Sequence, residues 1–132
     1  MKKSLLASLF CAAMICVFAV PSAFAVEAPA ADMMITAPEG ATAKKNPVTF
    51  SHVKHGEFKC QECHHTWDGK SPIKKCTDSG CHDIVAAKGK DKKDVKYFET
   101  AFHNKCYKGC HKDLKAAGKT TGPTACGQCH PK

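Results

Sequence analysis

Four times along this chain a pair of cysteines ends in a histidine. The first is Cys60-Gln61-Glu62-Cys63-His64 and the last is Cys126-Gly127-Gln128-Cys129-His130. Between them lie Cys76 and Cys81-His82, with four residues separating the thiols, and Cys106 and Cys110-His111, with three. Two thiols about one helical turn apart can each add to one vinyl group of a haem. The imidazole that follows then projects over the ring face and reaches the iron, so Cys-x-x-Cys-His reads as a c-type haem attachment site. Wider gaps loop out the intervening residues and keep the same ends. Histidine follows the second cysteine all four times, which chance would give about once in 100,000 at this histidine content.

The chain holds eight histidines. Four close the motifs: His64, His82, His111 and His130. His52, His55, His65 and His103 remain, and four irons with two axial imidazoles each require eight. Methionine, the other common distal ligand, raises the potential; after residue 25 the chain has only Met33 and Met34. Four haems c, all bis-histidine, low-spin and low-potential, are therefore expected. Six-coordinate iron has no vacant position for a substrate, which points to electron transfer over catalysis. Two blander schemes compete. A disulfide framework suits the eight cysteines that follow residue 25 in a short exported chain but leaves the four following histidines unexplained. Structural zinc uses both ligand types but leaves histidines over.

The segments that must position these groups are short. Lys2 and Lys3, the apolar run Leu5–Val20 and the small-x-small site Ala23-Phe24-Ala25 predict a secretory signal peptide over residues 1–25. Its apolar run falls short of the ~20 residues a span needs, so no stable membrane insertion is expected. Residues 26–43 read as an Ala/Pro-rich extended lead-in, and 44–132 as the cofactor domain. From Lys44 to Lys132 only 11 of 89 residues are Leu, Ile, Val or Phe. This is about 12%, well under the ~20% below which charged chains tend to be disordered. A chain this poor in aliphatics needs another material for its core. Pro47–Phe50 reads as a short strand, Ser51 as the N-cap of a turn carrying His52 and His55, Asp68-Gly69 as a turn, Tyr97–His103 as an amphipathic segment, and His111–Ala117 as a brief helix ending at Gly118. The expected fold is a mainly α and irregular multihaem fold: short helices and loops with a small N-terminal β-hairpin, wrapped around four haems.

On these motifs the chain resembles the tetrahaem cytochrome c3 family of sulfate-reducing bacteria. Phe50-Ser51-His52-Val53-Lys54-His55 resembles the family's Phe-x-His-x-x-His element, Cys63-His64-His65 its double-histidine motif, Cys76–His82 its wide-gap second site, and Phe102-His103-Asn104-Lys105 the segment giving the fourth haem its distal ligand. The resemblance implies the pairs His64 with His52, His82 with His65, His111 with His55, and His130 with His103. It also implies that Phe50 lies against haem. The third motif departs from the family pattern, having three residues between cysteines instead of two, and the narrow gap of the fourth is a milder departure.

After residue 25 the chain carries 18 lysines and no arginine against 12 acidic residues, a net +6. Phosphate and base recognition favour the arginine fork, so nucleic acid is not an expected partner. Four oxidised haems with ionised propionates would bring the balance to about +2. Lys105, Lys108, Lys112, Lys115, Lys119 and Lys132 gather around the third and fourth motifs. The resemblance makes them a docking patch for an acidic partner, in a periplasmic monomer that shuttles electrons between hydrogenase or formate dehydrogenase and membrane-bound multihaem complexes. It also implies coupling of electron uptake to protons through haem propionates. The alternative is a multihaem reductase of metal ions or oxyanions, which requires one open haem.

Overall fold

A computed structural model describes residues 26–132; the expected signal peptide at 1–25 lies outside the described residues. The lead-in contributes a strand. β1 (Met33–Ile35) runs antiparallel to β2 (Val48–Phe50), with Met33 opposite Phe50, Met34 opposite Thr49 and Ile35 opposite Val48. Thr49 Oγ1 donates to Met34 Sδ across the pair at 3.4 Å. The chain reverses between them at Pro38–Ala41, where the Ala41 N–H meets the Pro38 carbonyl at 3.1 Å. Gly40 sits at φ +79°, a conformation other residues rarely adopt.

β2 leads into a single 3₁₀ turn, Val53–His55. Ser51 does not cap it: the turn starts from His52 with no side-chain cap. Ser51 is instead buried, and its carbonyl accepts from His55 Nδ1 at 2.8 Å. In so short a turn the ring nitrogen of the last residue can reach back to that carbonyl. The hydroxyl is not needed.

α1 (Cys60–Cys63) follows, then the expected turn at Asp68, whose Oδ1 accepts from the backbone of Lys70 at 2.8 Å and of Ser71 at 2.7 Å. Within the lysine- and aspartate-rich stretch from Lys88 to Lys96, Gly89–Lys93 forms an exposed 3₁₀ helix. Ile84 and Tyr97 form an isolated parallel bridge around it.

The amphipathic segment expected at Tyr97–His103 and the brief helix expected at His111–Ala117 are joined in one helical run. α2 (Phe98–Phe102) passes directly into a π-helix, His103–Lys112, and then into α3 (Asp113–Ala116). Gly118, at φ +68°, ends the run as expected. α4 (Cys126–Cys129) closes the chain.

Of the described residues, only Tyr97 and Ala101 form a buried apolar core, and no large side chain is fully buried. Folds of this size with so little internal apolar surface depend on staples or prosthetic groups. The short helices, two-stranded sheet and loops are the fold class expected from the sequence. No helix among the described residues is long and apolar enough to cross a membrane.

Candidate cofactor site

The motif ends are held alike. The His64 N–H bonds the Cys60 carbonyl at 2.8 Å, His130 bonds Cys126 at 2.8 Å, and His82 bonds Cys76 at 2.9 Å across the wider gap. In α1 and α4 the two cysteines are the first and last helical residues and the histidine is the C-cap. Among the described residues the eight cysteines form no disulfide.

The eight imidazoles meet in four pairs, the same four that the family resemblance implies. Ring centroids are 6.4 Å apart for His52 and His64, 6.2 Å for His55 and His111, 5.8 Å for His65 and His82, and 6.3 Å for His103 and His130. An imidazole nitrogen lies about 1.1 Å from its ring centroid and bonds a metal at about 2.0 Å, so two rings on opposite sides of one metal stand about 6.2 Å apart. The pairs therefore fit trans-axial ligation. Among the described residues no three His, Cys, Asp or Glu side chains converge as a metal-binding group. The donors come in twos, as an iron already held by a planar four-nitrogen ring requires.

Several rings are fixed through Nδ1. His55 Nδ1 meets the Ser51 carbonyl at 2.8 Å, His82 Nδ1 that of Val95 at 2.7 Å, His111 Nδ1 that of Pro123 at 2.8 Å, and His130 Nδ1 that of Asn46 at 2.7 Å. An Nδ1–H donated to a carbonyl fixes the tautomer that leaves Nε2 as the lone-pair ligand. His52 is held differently: its Nδ1 is buried without a partner, and the Phe50 ring edge packs against it at 4.9 Å. Burial lowers the His64 pKa, with His52 beside it adding to the effect, so the neutral, ligating form is favoured.

The thiols of the first three motifs gather. Desolvation pushes the Cys106 thiol up to about 11, with Cys63, Cys76 and Cys110 near enough to raise it further. Desolvation likewise raises Cys63, Cys76 and Cys129. The fourth motif is anchored elsewhere: Asn46 Nδ2 donates to the Pro131 carbonyl at 2.7 Å while its own carbonyl accepts from His130.

Sequence reasoning missed Gly122. A β-carbon there would lie 2.6 Å from His111 Cε1 and 2.9 Å from its Nε2. The loop thus presses on the imidazole where only glycine fits, and Thr121 Oγ1 ties the same loop to the His111 carbonyl at 3.0 Å. The Gly-Pro pair at 122–123 marks a loop in the sequence, but nothing local signals the contact.

The model of the class III cytochrome c family matches residues 29–130. A cytochrome c3 of Maridesulfovibrio salexigens is 52% identical over 111 residues, covering 81% of this chain and 98% of the relative. A cytochrome c3 of Desulfovibrio desulfuricans is 47% identical, covering 81% and 99%. Among solved structures, the di-tetraheme cytochrome c3 of Desulfovibrio gigas superposes with a TM-score of 0.65 at 34% identity, covering 80% of this chain and 97% of that one.

Proposed function

Because this chain belongs to the class III cytochrome c family and is an electron-transfer protein of the cytochrome c3 kind, we propose that it carries four covalent haems c and shuttles electrons in the periplasm. The observation that carries this reading is the set of four imidazole pairs at 5.8–6.4 Å. His64 and His52 hold the first haem, His82 and His65 the second, His111 and His55 the third, and His130 and His103 the fourth. Cys60 and Cys63, Cys76 and Cys81, and Cys126 and Cys129 would attach the first, second and fourth, and Cys110 the third. Each haem, when bound, supplies a one-electron ferric/ferrous couple.

The residues of the chain do the rest. The carbonyls of Ser51, Val95, Pro123 and Asn46 set imidazole orientation and basicity. His64 and His65 are neighbours in sequence and would serve the first and second irons, and His52 and His55, one turn apart, would serve the first and third. With two histidines available to each iron, no position would be left open to a substrate, which supports a carrier over a reductase.

Lys105, Lys108, Lys112, Lys115, Lys119 and Lys132 are all exposed. They offer an acidic partner a positive face beside the third and fourth sites, so encounter rates fall as salt rises. The partners this suits are a periplasmic hydrogenase or formate dehydrogenase on one side and a membrane-bound multihaem complex on the other. Mixing the oxidised holoprotein with a catalytic amount of periplasmic hydrogenase under dihydrogen tests the role. Full reduction, slowed by added salt, is expected; no reduction above the rate without hydrogenase contradicts it.

A further inference from the structure

The third motif has a gap of three residues, unlike the others, and it lies within the π-helix His103–Lys112. A π-helical turn is closed by i→i+5 bonds and takes in about one residue more than the α-helical turn closed by i→i+4 bonds. Cysteines four apart on a π-turn therefore stand in nearly the angular relation of cysteines three apart on an α-turn. The i→i+5 pattern also sets the His111 N–H opposite the Cys106 carbonyl. That is the same first-cysteine-to-histidine closure that the other three motifs make.

Residues inside the gap make their contacts along the helix. Lys112 Nζ lies over the Tyr107 ring at 5.0 Å, an i,i+5 pair, and Lys108 Nζ donates to Asn104 Oδ1 at 3.2 Å. Gly109 stands where the wide turn closes: a β-carbon there would meet the Asn104 carbonyl oxygen at 2.8 Å, closer than real contacts allow.

From this geometry we infer that the π-turn absorbs the extra residue and that Cys106, together with Cys110, attaches the third haem through two thioethers. The inference rests on the proposed tetrahaem centre and extends it to the one cysteine whose spacing departs from the family pattern. In the attachment step, the Cys106 Sγ–H adds across a vinyl double bond. Sulfur bonds the carbon next to the ring, and the thiol hydrogen goes to the terminal carbon, which becomes a methyl group. Nothing leaves, and there is no net oxidation or reduction.

The test is peptide mapping of the holoprotein after denaturation, alkylation and proteolysis, alongside the pyridine haemochrome spectrum. The peptide spanning Cys106–His111 is expected to carry haem and no alkylated thiol, with a single α-band typical of two thioethers. Cys106→Ala provides the reference for single attachment, with about a quarter of the band shifted to the red. Gly109→Ala is expected to yield a fraction of chains alkylated at Cys106, a readout that survives even if the variant folds poorly. A wild-type peptide bearing haem at Cys110 and an alkylated Cys106 overturns the inference while sparing the tetrahaem reading. A wild-type peptide bearing no haem overturns both. Full attachment in Gly109→Ala contradicts the role given to the π-turn.

Discussion

The Phe50 ring stacks on the His55 imidazole, centroids 4.6 Å apart and planes 26° from parallel, while its edge packs on His52 at 4.9 Å. One aromatic side chain thus contacts both imidazoles proposed as distal ligands of the first and third haems. Replacing it with Leu keeps the apolar character but removes the flat surface. Phe50→Leu is expected to destabilise the holoprotein by about 1 kcal/mol. Better hydration favours the charged ferric state, so two of the four potentials should fall and two should stay. Redox titration followed by NMR checks this; an equal shift of all four would contradict it.

Gly122 leaves no space beside His111. Gly122→Ala places a β-carbon 2.6 Å from Cε1 of that ring, a strain of about 1–3 kcal/mol if the loop must move. At Gly127, by contrast, a β-carbon meets nothing within 4 Å. The expected outcome for Gly122→Ala is weakened ligation at one haem of four, seen as carbon monoxide binding to the reduced protein. Gly127→Ala should bind none. Equal behaviour of the two variants would show that the contact is unimportant.

The imidazole planes divide the sites. They lie 10° apart in the His52–His64 pair and 19° in the His55–His111 pair, but 48° in His65–His82 and 65° in His103–His130. Parallel imidazoles split the two iron d orbitals that overlap their π systems, and crossed ones leave those orbitals closer in energy. Low-temperature EPR of the oxidised protein should therefore show two more rhombic low-spin signals and two of larger g-anisotropy. Four signals of equal rhombicity would count against these angles.

Asp68 governs a surface turn. The Ser71 and Lys70 backbone N–H groups and the Ser71 hydroxyl hold its carboxyl well below the usual range, at about 2. A group whose folded pKa is depressed stabilises the fold above its unfolded value of ~3.9, and that contribution disappears as pH falls toward 2. Trp67, whose Nε1 donates to the Ser71 carbonyl at 2.6 Å in the same turn, reports on it. Its indole proton should keep its shift down to about pH 3 and move with a midpoint near 2. In Asp68→Ala it should be displaced already at pH 7 and show no such transition.

How much of this could be read from the sequence depends on where the information sits. The cysteine–histidine chemistry is local: spacing alone identifies the attachment motifs, and the shortage of aliphatic residues predicts a fold with almost no polypeptide core. The short strand at Val48–Phe50 and the stop at Gly118 carry β-branched and glycine signals. Pro38 and Gly40 mark the turn before that strand, but Met33–Ile35, which pairs across it, reads only as part of an extended lead-in. The π-helix is silent because π and α turns use the same residues, and only the odd cysteine gap hints at it. Gly122 is illegible for a different reason, since its constraint comes from a ring 11 positions earlier. Ser51 looks like a cap, but it is buried and its carbonyl meets the His55 ring nitrogen instead of its hydroxyl meeting a backbone N–H.

The central claim is that eight imidazoles cap four irons. Haem should be counted per chain in protein matured by a host that attaches haem c, and its spin state read from the EPR of the oxidised form. Four haems per chain with no high-spin ferric signal is the predicted result. Fewer than four haems, or a stable high-spin signal from the undamaged protein, would contradict it.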